Sequence, residues 1–255
     1  TIKYISNFTK EILCVKPCTE SNHQVEELIT FAEGISANIF VDFHKRFDES
    51  NIEFINNASK LKFKNGVFNF SYGQKEIVPK QYFSKWAHFS NPFQYLAPHY
   101  LDIIFKIITL QNYNHKILKI SGAVNKLNFE DRPEIISFVS CNLKLDYGKS
   151  YFIVNSSTNW MEPKATPFNS RQRIEFQTSG LHLISEQDNR GQLVIDNNAV
   201  KIPNPHFMTN DEFLVSSGYG IFSYCNFLEY ISNRFPKDAL LSIKNYIPIS
   251  KVIDY

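Results

Sequence analysis

The stretch RIEFQTSGLHLISEQDNRGQLVID, from Arg173 to Asp196, alternates apolar and polar residues and contains two turn signals. An alternation with a period of two is typical of strands that bury one face. Ser179-Gly180 predicts a tight turn after the first strand, and a loop over residues 189–191 predicts a turn into a third. The first turn pairs Arg173 with Glu186, Glu175 with Ile184 and Gln177 with His182. The second places Ile184 opposite Asp196 and His182 opposite Asn198. We therefore predict a three-stranded antiparallel meander.

One face of this meander is apolar and is expected to lie on a core; its residues are Ile174, Phe176, Leu181, Leu183, Leu193 and Ile195. The other face carries Arg173, Glu175, Gln177, His182, Glu186 and Asp196. A histidine beside carboxylates suits general acid–base catalysis, because carboxylates orient the imidazole and move its pKa. A sheet with one solvated face shows the same alternation without any catalytic role. The catalytic hypothesis takes His182 as the acid or base, oriented by Glu186 or Glu175.

Two neighbouring segments offer groups that can hold an anion. The segment NSSTNWMEPKATPFNSRQR, residues 155–173, is interpreted as a long ordered loop, a common carrier of function. Its cations Lys164, Arg171 and Arg173 can clamp a phosphate, with Trp160 as a stacking surface. Farther along, Ser217, Gly218 and Gly220 precede a helical pattern and can form a backbone cradle for phosphate. A helix kinked by glycine for packing explains the same residues.

The beginning of the chain has the pattern of a parallel βαβ unit. KEILCVKP (residues 10–17) and NIFVDF (residues 38–43) are predicted strands. Between them, SNHQVEELITFAEG (residues 21–34) is a predicted helix, with Ser21 or Asn22 as its cap and Gly34 just past its end. A strand, a helix and a strand within about 30 residues favour parallel pairing.

Several other elements are predicted from local signals. Asn65-Gly66 favours a type I′ hairpin that pairs Phe63 with Phe68 and puts Lys60, Lys62 and Lys64 on one face. Residues 99–111 form an apolar helix with Pro98 at its first position, and three strands follow up to residue 157. A capping box of Thr209 and Glu212 opens a helical C-terminal part.

These elements together predict the fold class. We expect a mixed α/β or α+β protein whose central sheet has an N-terminal βαβ-like unit, an antiparallel β-meander in the middle and a helical C-terminus. Residues 1–255 are expected to form a single domain, with a β-rich subdomain at 135–202 as an option.

Composition excludes some classes of function and leaves others open. The 27 basic and 25 acidic residues give a net charge of +2, which provides no overall field for nucleic acid. No apolar run approaches the roughly 20 residues that span a bilayer, so we expect a soluble, cytoplasmic protein. Four cysteines and seven histidines show no metal-ligand spacing. No metal and no cofactor are predicted, and the oligomeric state stays open.

The function predicted from these features is a metal-independent transferase acting by general acid/base catalysis. Its expected substrate is a phosphorylated or nucleotide-activated small molecule, with sugars among the candidates. A first alternative is a nucleic-acid enzyme or binder that uses Lys60, Lys62, Lys64, Arg171, Arg173 and Trp160; its nuclease version takes Asp146, Glu162 and Lys164 as the site. A second alternative is a non-catalytic binding module whose aromatic segment, residues 82–100, meets a partner.

Overall fold

The computed structural model describes residues 2–19, 21–75, 90–113, 118–129, 132–163, 165, 170–186, 191–195, 200–201, 209–210, 215–216, 221–232 and 241–255. The chain forms two compact units. The first combines Thr1–Asp48 with Phe207–Tyr255, and the second is Glu49–His206. A β-rich subdomain at 135–202 inside a single domain stays a prediction.

The helices and strands follow one another in a mixed order. In chain order they are α1 (Ile2–Ile5), β1 (Glu11–Val15), α2 (Asn22–Gly34), β2 (Asn38–Asp42), a 3-10 helix (His44–Phe47), α3 (Glu49–Ser59), β3 (Asn65–Lys75), α4 (Pro92–Leu96), α5 (Pro98–Leu110), β4 (Lys119–Phe129), β5 (Arg132–Asp146), β6 (Tyr151–Glu162), β7 (Ser170–Thr178), β8 (Leu181–Glu186), β9 (Gly191–Ile195), β10 (Val200–Lys201), β11 (Thr209–Asn210), β12 (Val215–Ser216), α6 (Ile221–Ile231), a second 3-10 helix (Ile243–Tyr246) and α7 (Ile247–Asp254). The predicted mixed α/β class, with its βαβ unit, meander and helical end, is confirmed.

The first unit is built on the predicted βαβ unit. Strands β1 and β2 are parallel, and their register pairs Val15 with Asp42. Ser21 caps α2 by accepting a hydrogen bond from the Gln24 N–H, which satisfies one of the helix's unpaired donors. Gly34 is the last residue of the helix. The prediction that it lies just past the helix end is therefore wrong by one position. Ser36 takes the left-handed backbone conformation after the helix, with φ of 53°.

The end of the chain completes this unit. The Asn22 N–H donates to the Asp254 carboxylate of α7, and the Ser250 hydroxyl donates to Asn22 Oδ1 at 2.7 Å. The predicted capping box at Thr209 is wrong, because Thr209 lies in β11, which pairs antiparallel with β12; the next helix among the described residues begins at Ile221. A residue held in a strand ladder cannot open a helix. Its predicted partner, Glu212, lies outside the described residues.

The second unit contains an eight-stranded sheet of order β10-β9-β8-β7-β3-β6-β5-β4. Strand β3 pairs parallel with β6 and antiparallel with β7. The predicted Asn65-Gly66 hairpin is therefore wrong. Asn65 opens β3, both edges of β3 are taken, and no position is left for residues 60–64 as a partner strand. Phe63 instead packs its ring against Phe152 and Phe176, with ring centroids 5.9 and 4.9 Å apart.

The meander from β7 to β9 matches the sequence prediction only in its first half. Arg173 pairs with Glu186, Glu175 with Ile184 and Gln177 with His182, as predicted. The second register is wrong, since Ile184 pairs with Leu193 and His182 with Ile195. The reason is the length of the connection. Strand β8 ends at Glu186 and β9 begins at Gly191, so residues 187–190 separate them.

The core of the second unit lies between one face of this sheet and helices that pack on it. Phe68 is fully buried, and its ring stacks on Phe176 with centroids 4.4 Å apart and planes 22° apart. Helix α5 is buried over most of its length and begins with Pro98, as predicted. His99 and Asp102 are among its buried residues. None of the helices in the described parts of the chain is long and apolar enough to cross a bilayer.

Two glycine substitutions should change stability in opposite directions. Gly122 in β4 has φ of 149°, and an added Cβ would lie 2.0 Å from the Asn142 backbone oxygen. Gly122→Ala is therefore expected to lower the free energy of unfolding by about 1–3 kcal/mol and to increase amide exchange along β4 and β5.

Gly34 in α2 has no atom within 4 Å of an added Cβ. Gly34→Ala should raise stability by about 0.5–1 kcal/mol. Chemical denaturation measures both, and a Gly122→Ala protein as stable as the wild type would contradict the strand geometry.

Candidate functional site

Charged side chains gather where the two parallel strands of the first unit end. Lys16 follows β1 directly, Asp42 is the last residue of β2, and His44 and Lys45 open the 3-10 helix that comes next. The carboxyl ends of parallel strands lie at one edge of a sheet, which is where open α/β folds bind ligands. We call Lys16, Asp42, His44 and Lys45 the carboxyl-edge cluster.

The carboxyl-edge cluster is unusual because its charged groups are withdrawn from water. Lys16 is 9% exposed, Asp42 5% and Lys45 2%. Lysine and aspartate are rarely buried to this extent unless opposite charges or hydrogen bonds compensate them. Burial of several ionisable groups in one place therefore indicates either a structural ion network or a functional site.

Burial changes the protonation of this cluster. It lowers the pKa of Lys16 to about 7; the positive charge of Lys45 lowers it further, whereas Asp42 raises it. Burial also lowers the pKa of His44 to about 3, with Lys45 and Lys16 adding to the effect. At neutral pH the imidazole of His44 is thus uncharged, and the amine of Lys16 populates both its protonated and its neutral form.

The carboxylate of the cluster is held by helix α6. Burial raises the pKa of Asp42, while hydrogen bonds with Ser223 and Tyr224 and the charge of Lys16 lower it. Burial raises the pKa of Tyr224, and the neighbouring Asp42 raises it further. The charge of Asp42 in turn opposes the fall in the pKa of Lys16.

This arrangement is suited to proton transfer. A general acid or base works best when its pKa lies near the working pH, and an ordinary lysine, at about 10.5, is far from neutrality. Sequence reasoning assigned residues 10–17 to a strand and did not single out Lys16. The usable signal was its place directly after the first strand of a βαβ unit, at the edge where ligands bind.

The site predicted on the meander lies on the solvent side of the eight-stranded sheet. The Arg173 guanidinium hydrogen-bonds the carboxylates of Glu175 and Glu186, with 2.8 Å from Arg173 Nε to Glu175 Oε1. His182 Nε2 lies 4.0 Å from Glu175 Oε2, and the His182 side chain is 37% exposed. The structure thus brings these four residues together as predicted, in a half-exposed ionic network. Catalytic roles for His182, Glu175 and Glu186 stay predictions.

A row of amides extends this network across the sheet. Asn142 Nδ2 donates to Asn155 Oδ1 at 2.7 Å, Asn155 Nδ2 donates to Asn69 Oδ1 at 2.8 Å, and Asn69 Nδ2 reaches Glu175 Oε2 at 3.4 Å. Arg173 and Glu175 line a groove of about 510 Å³ with these amides and with serines of neighbouring strands. Among the described residues no three His, Cys, Asp or Glu side chains are placed to hold a metal ion.

The remaining predicted site residues do not form one clamp in the described structure. Trp160 lies in strand β6 and not in a loop, and it is 1% exposed on the face covered by helices. Arg171 pairs with Gly73 on the exposed face, two residues from Arg173. The loop prediction failed because the alternation of residues 151–162 continues the strand, with every second side chain buried. Lys164, Ser217, Gly218 and Gly220 lie outside the described residues.

The structure also bears on the two alternative functions, nucleic-acid binding and a non-catalytic binding module. Lys60 lies just after helix α3 and hydrogen-bonds Asn57 Oδ1 at 2.7 Å, so the three lysines do not share a hairpin face. In the aromatic segment, residues 82–89 lie outside the described part, and Phe93 and Tyr100 are buried in helices α4 and α5. Of the aromatic residues described there, Phe93 and Tyr100 therefore belong to the core, and Tyr95 is half-buried.

Unpaired polar atoms lie on the buried face of the second unit's sheet. Within the described residues Trp160 Nε1, Ser156 Oγ and Gln172 Oε1 have no hydrogen-bond partner. Gln172 is paired with Tyr72 in the sheet, and the Tyr72 ring lies 6.5 Å from that of His99. Buried polar groups are normally satisfied, so each orphan calls for an explanation such as a bound ligand or solvent.

Comparison with known proteins shows that this chain is similar in fold to several solved structures. No protein-family model matches the sequence, and no curated protein does. Among solved structures, a dehydrogenase from Clostridium difficile has a TM-score of 0.63 and 17% identity over 98% of this chain and 71% of its own. An inositol dehydrogenase homolog from Azotobacter vinelandii, solved with NADH and myo-inositol, has a TM-score of 0.67 and 11% identity over 96% of this chain and 68% of its own. An aldose-aldose oxidoreductase from Caulobacter crescentus, solved with glycerol, has a TM-score of 0.66 and 11% identity over 96% and 68%.

These similarities show the fold and correct the functional prediction. The solved structures named above are described as dehydrogenases or oxidoreductases, and so is a further similar structure, a UDP-N-acetylglucosamine 3-dehydrogenase from Acidithiobacillus ferrooxidans. The prediction of a metal-independent transferase is wrong on this comparison. It followed from reading the anion-binding candidates at 164–173 and 217–220 as one phosphate site.

Proposed function

We propose that this chain supplies the proton-transferring group of an oxidoreductase, and that this group is Lys16. The observation that carries the proposal is a buried amine with a pKa of about 7 at the carboxyl edge of a βαβ unit. The fold likeness to dehydrogenases supports the reaction class.

The chemistry assigned to Lys16 is limited to a proton. When a hydroxyl-bearing carbon is oxidised to a carbonyl, the carbon gives a hydride to a separate hydride acceptor and the oxygen loses a proton. The neutral Nζ of Lys16 accepts that proton, and in the reverse direction the ammonium returns it. Asp42 and Lys45 set the balance between the two forms by their opposite charges. Because the neutral amine is well populated at pH 7, no strong external base is needed.

We propose a polyol or sugar as the substrate class. The structural neighbours are described with myo-inositol, with glycerol, or as acting on UDP-N-acetylglucosamine. A phosphorylated or nucleotide-activated form of such a substrate, and a cytoplasmic location, belong to the same proposal.

The turn between β1 and α2 does not have the form of a dinucleotide site. In such a site a glycine-rich turn lets the backbone approach the pyrophosphate at a helix N-terminus. Residues 16–21 read KPCTES and contain proline but no glycine. The role of Lys16 is therefore assigned without placing the hydride acceptor.

Calorimetric titration of the protein with myo-inositol, glycerol and UDP-N-acetylglucosamine between pH 5.5 and 9 tests this proposal. We expect at least one to bind, with an affinity that changes around pH 7 as Lys16 changes charge. Lys16→Met should remove this pH dependence, whereas Lys64→Met, at an exposed position, should keep it. If none of the three ligands binds, or if the Lys16→Met protein retains the pH dependence, the proposal is wrong.

A further inference from the structure

The exposed face of the eight-stranded sheet has a regular block of neutral side chains at its centre. Three adjacent strands, β5, β6 and β3, each contribute one asparagine and one serine two positions apart. The registers align the asparagines in one row across the sheet and the serines in the next row. We call these six residues the amide–hydroxyl block: Asn142 and Ser140, Asn155 and Ser157, Asn69 and Ser71.

The groove formed by this block has a lining without net charge. Among the described residues that line it, Arg173 and Glu175 are the charged ones, and Arg173 Nε donates to Glu175 Oε1 at 2.8 Å. Protein surfaces normally intersperse lysine, arginine, aspartate and glutamate, so solvent exposure alone does not predict a block of six neutral residues. A neutral lining leaves no charge to pair with an ion, and it therefore favours a neutral ligand.

The amide–hydroxyl block offers many hydrogen-bonding groups at fixed positions. Its three serines are half-buried, and their hydroxyls make no hydrogen bond with other described residues. Its three asparagines each donate one amide hydrogen along the ladder that ends at Glu175, which orients the amides and leaves each a second hydrogen to donate. Closely spaced groups that donate and accept hydrogen bonds complement the hydroxyls of a carbohydrate.

The spacing of the block favours one shape of carbohydrate. Neighbouring strands lie about 4.8 Å apart, so the asparagine–serine pair recurs at that interval across β5, β6 and β3. This interval is close to the length of one pyranose in a fully extended oligosaccharide. The groove volume of about 510 Å³ lies within the range of small-ligand sites, roughly 300–1,000 Å³. Three consecutive sugars therefore match the three pairs.

We propose that the amide–hydroxyl block binds a neutral, extended oligosaccharide that runs across the strands, with one sugar over each asparagine–serine pair. The amides donate to sugar oxygens, and the serine hydroxyls donate to or accept from the sugar hydroxyls. A β-1,4-linked chain of pyranoses is extended and fits a straight row, whereas an α-1,4-linked chain curves away from it. The lining residues belong to the second unit, so this inference does not rest on the proposed function of Lys16.

Titration of the ¹⁵N-labelled full chain with cellotriose, a β-1,4-linked trisaccharide, tests the proposal by nuclear magnetic resonance. We expect backbone amide shifts that saturate at millimolar cellotriose and are concentrated in β3, β5 and β6. Maltotriose, the α-1,4-linked trimer of the same sugar, should bind about fivefold more weakly or less, since one lost hydrogen bond corresponds to about that factor in affinity.

Two serine substitutions on the same sheet face separate the block from its surroundings. Ser157→Val removes the hydroxyl on the middle strand of the block and should weaken the binding of cellotriose about fivefold or more. Ser121→Val is the matched control, because Ser121 is an exposed serine of β4 that is not among the residues lining the groove; this variant should bind like the wild type. Urea denaturation checks that both are folded, and Ser71→Ala, a smaller change, should weaken the binding in the same direction.

Several results would overturn the proposal. They are no binding of cellotriose, equal binding of cellotriose and maltotriose, amide shifts confined to other strands, and wild-type affinity of the Ser157→Val protein. A concentration-dependent dimer that Ser157→Arg dissociates would also overturn it, since a second copy of the chain would then cover the block.

Discussion

Replacing Lys16 by methionine is expected to raise the free energy of unfolding at pH 7 by about 2–4 kcal/mol. The folded pKa of Lys16 is about 7 and its ordinary value is 10.5. Between these values the unfolded chain binds the proton and the folded chain does not. The stability of the wild type therefore rises with pH from about 7 to about 10.5, and at lower pH the full cost of burying the ammonium remains. Methionine fills a similar volume without a charge.

The comparison that isolates this effect is a pH series and not a single measurement. The difference between Lys16→Met and the wild type should be large at pH 6 to 7 and should vanish near pH 10. Lys64→Met, at an exposed lysine, should show no pH-dependent difference. Urea denaturation at four pH values gives the curves. A constant difference across the whole range would mean that Lys16 has an ordinary pKa in the folded protein.

The second large effect is expected in the core of the sheet unit. Phe68→Ala should lower the free energy of unfolding by about 3–5 kcal/mol, because it removes a fully buried ring and leaves a cavity. The lost ring stacks on Phe176 and lies 6.1 Å from Phe152, centroid to centroid. Neighbouring side chains in a two-sided aromatic cluster have little freedom to close that space.

Phe8→Ala is the matched control, because Phe8 is 75% exposed. Its effect on the free energy of unfolding should stay within about 0.5 kcal/mol. Both variants are measured by urea denaturation followed by tryptophan fluorescence, since the fully buried Trp160 lies on the same sheet face as Phe152. A loss below about 1 kcal/mol for Phe68→Ala would contradict the packing of this sheet.

Much of the fold followed from local patterns in the sequence. The βαβ unit was predictable because α2 has an apolar stripe and a capping serine, and because short apolar strands flank it. The first turn of the meander was predictable because Ser179-Gly180 fixes the register of the strands on both sides. The Asn65-Gly66 signal failed because it is local, and it was overruled by the two neighbours that β3 finds far away in the sequence. Pairing between strands that are far apart in the sequence cannot be predicted from a window of ten residues.

The candidate site was less predictable than the fold. Alternation placed His182, Glu175, Arg173 and Glu186 on one face correctly, but it could not say whether a second layer covers that face. Lys16 was missed because nothing in its side chain marks it as special. Its pKa is shifted by burial and by Lys45, a residue 29 positions away that comes near only after the βαβ unit forms. Perturbed protonation is a property of the folded surroundings and not of the residue type.

The central claim is that Lys16 titrates near neutrality, and nuclear magnetic resonance tests it directly. The lysines of the intact protein are reductively methylated with ¹³C, and the signal missing from the Lys16→Met protein identifies Lys16. Following its chemical shift from pH 5 to 11 gives its pKa. A midpoint near 7 is the expected result, in line with an amine withdrawn from water beside Lys45. A midpoint close to 10.5, shared with the exposed lysines, would contradict the claim and remove the basis for the proposed proton transfer.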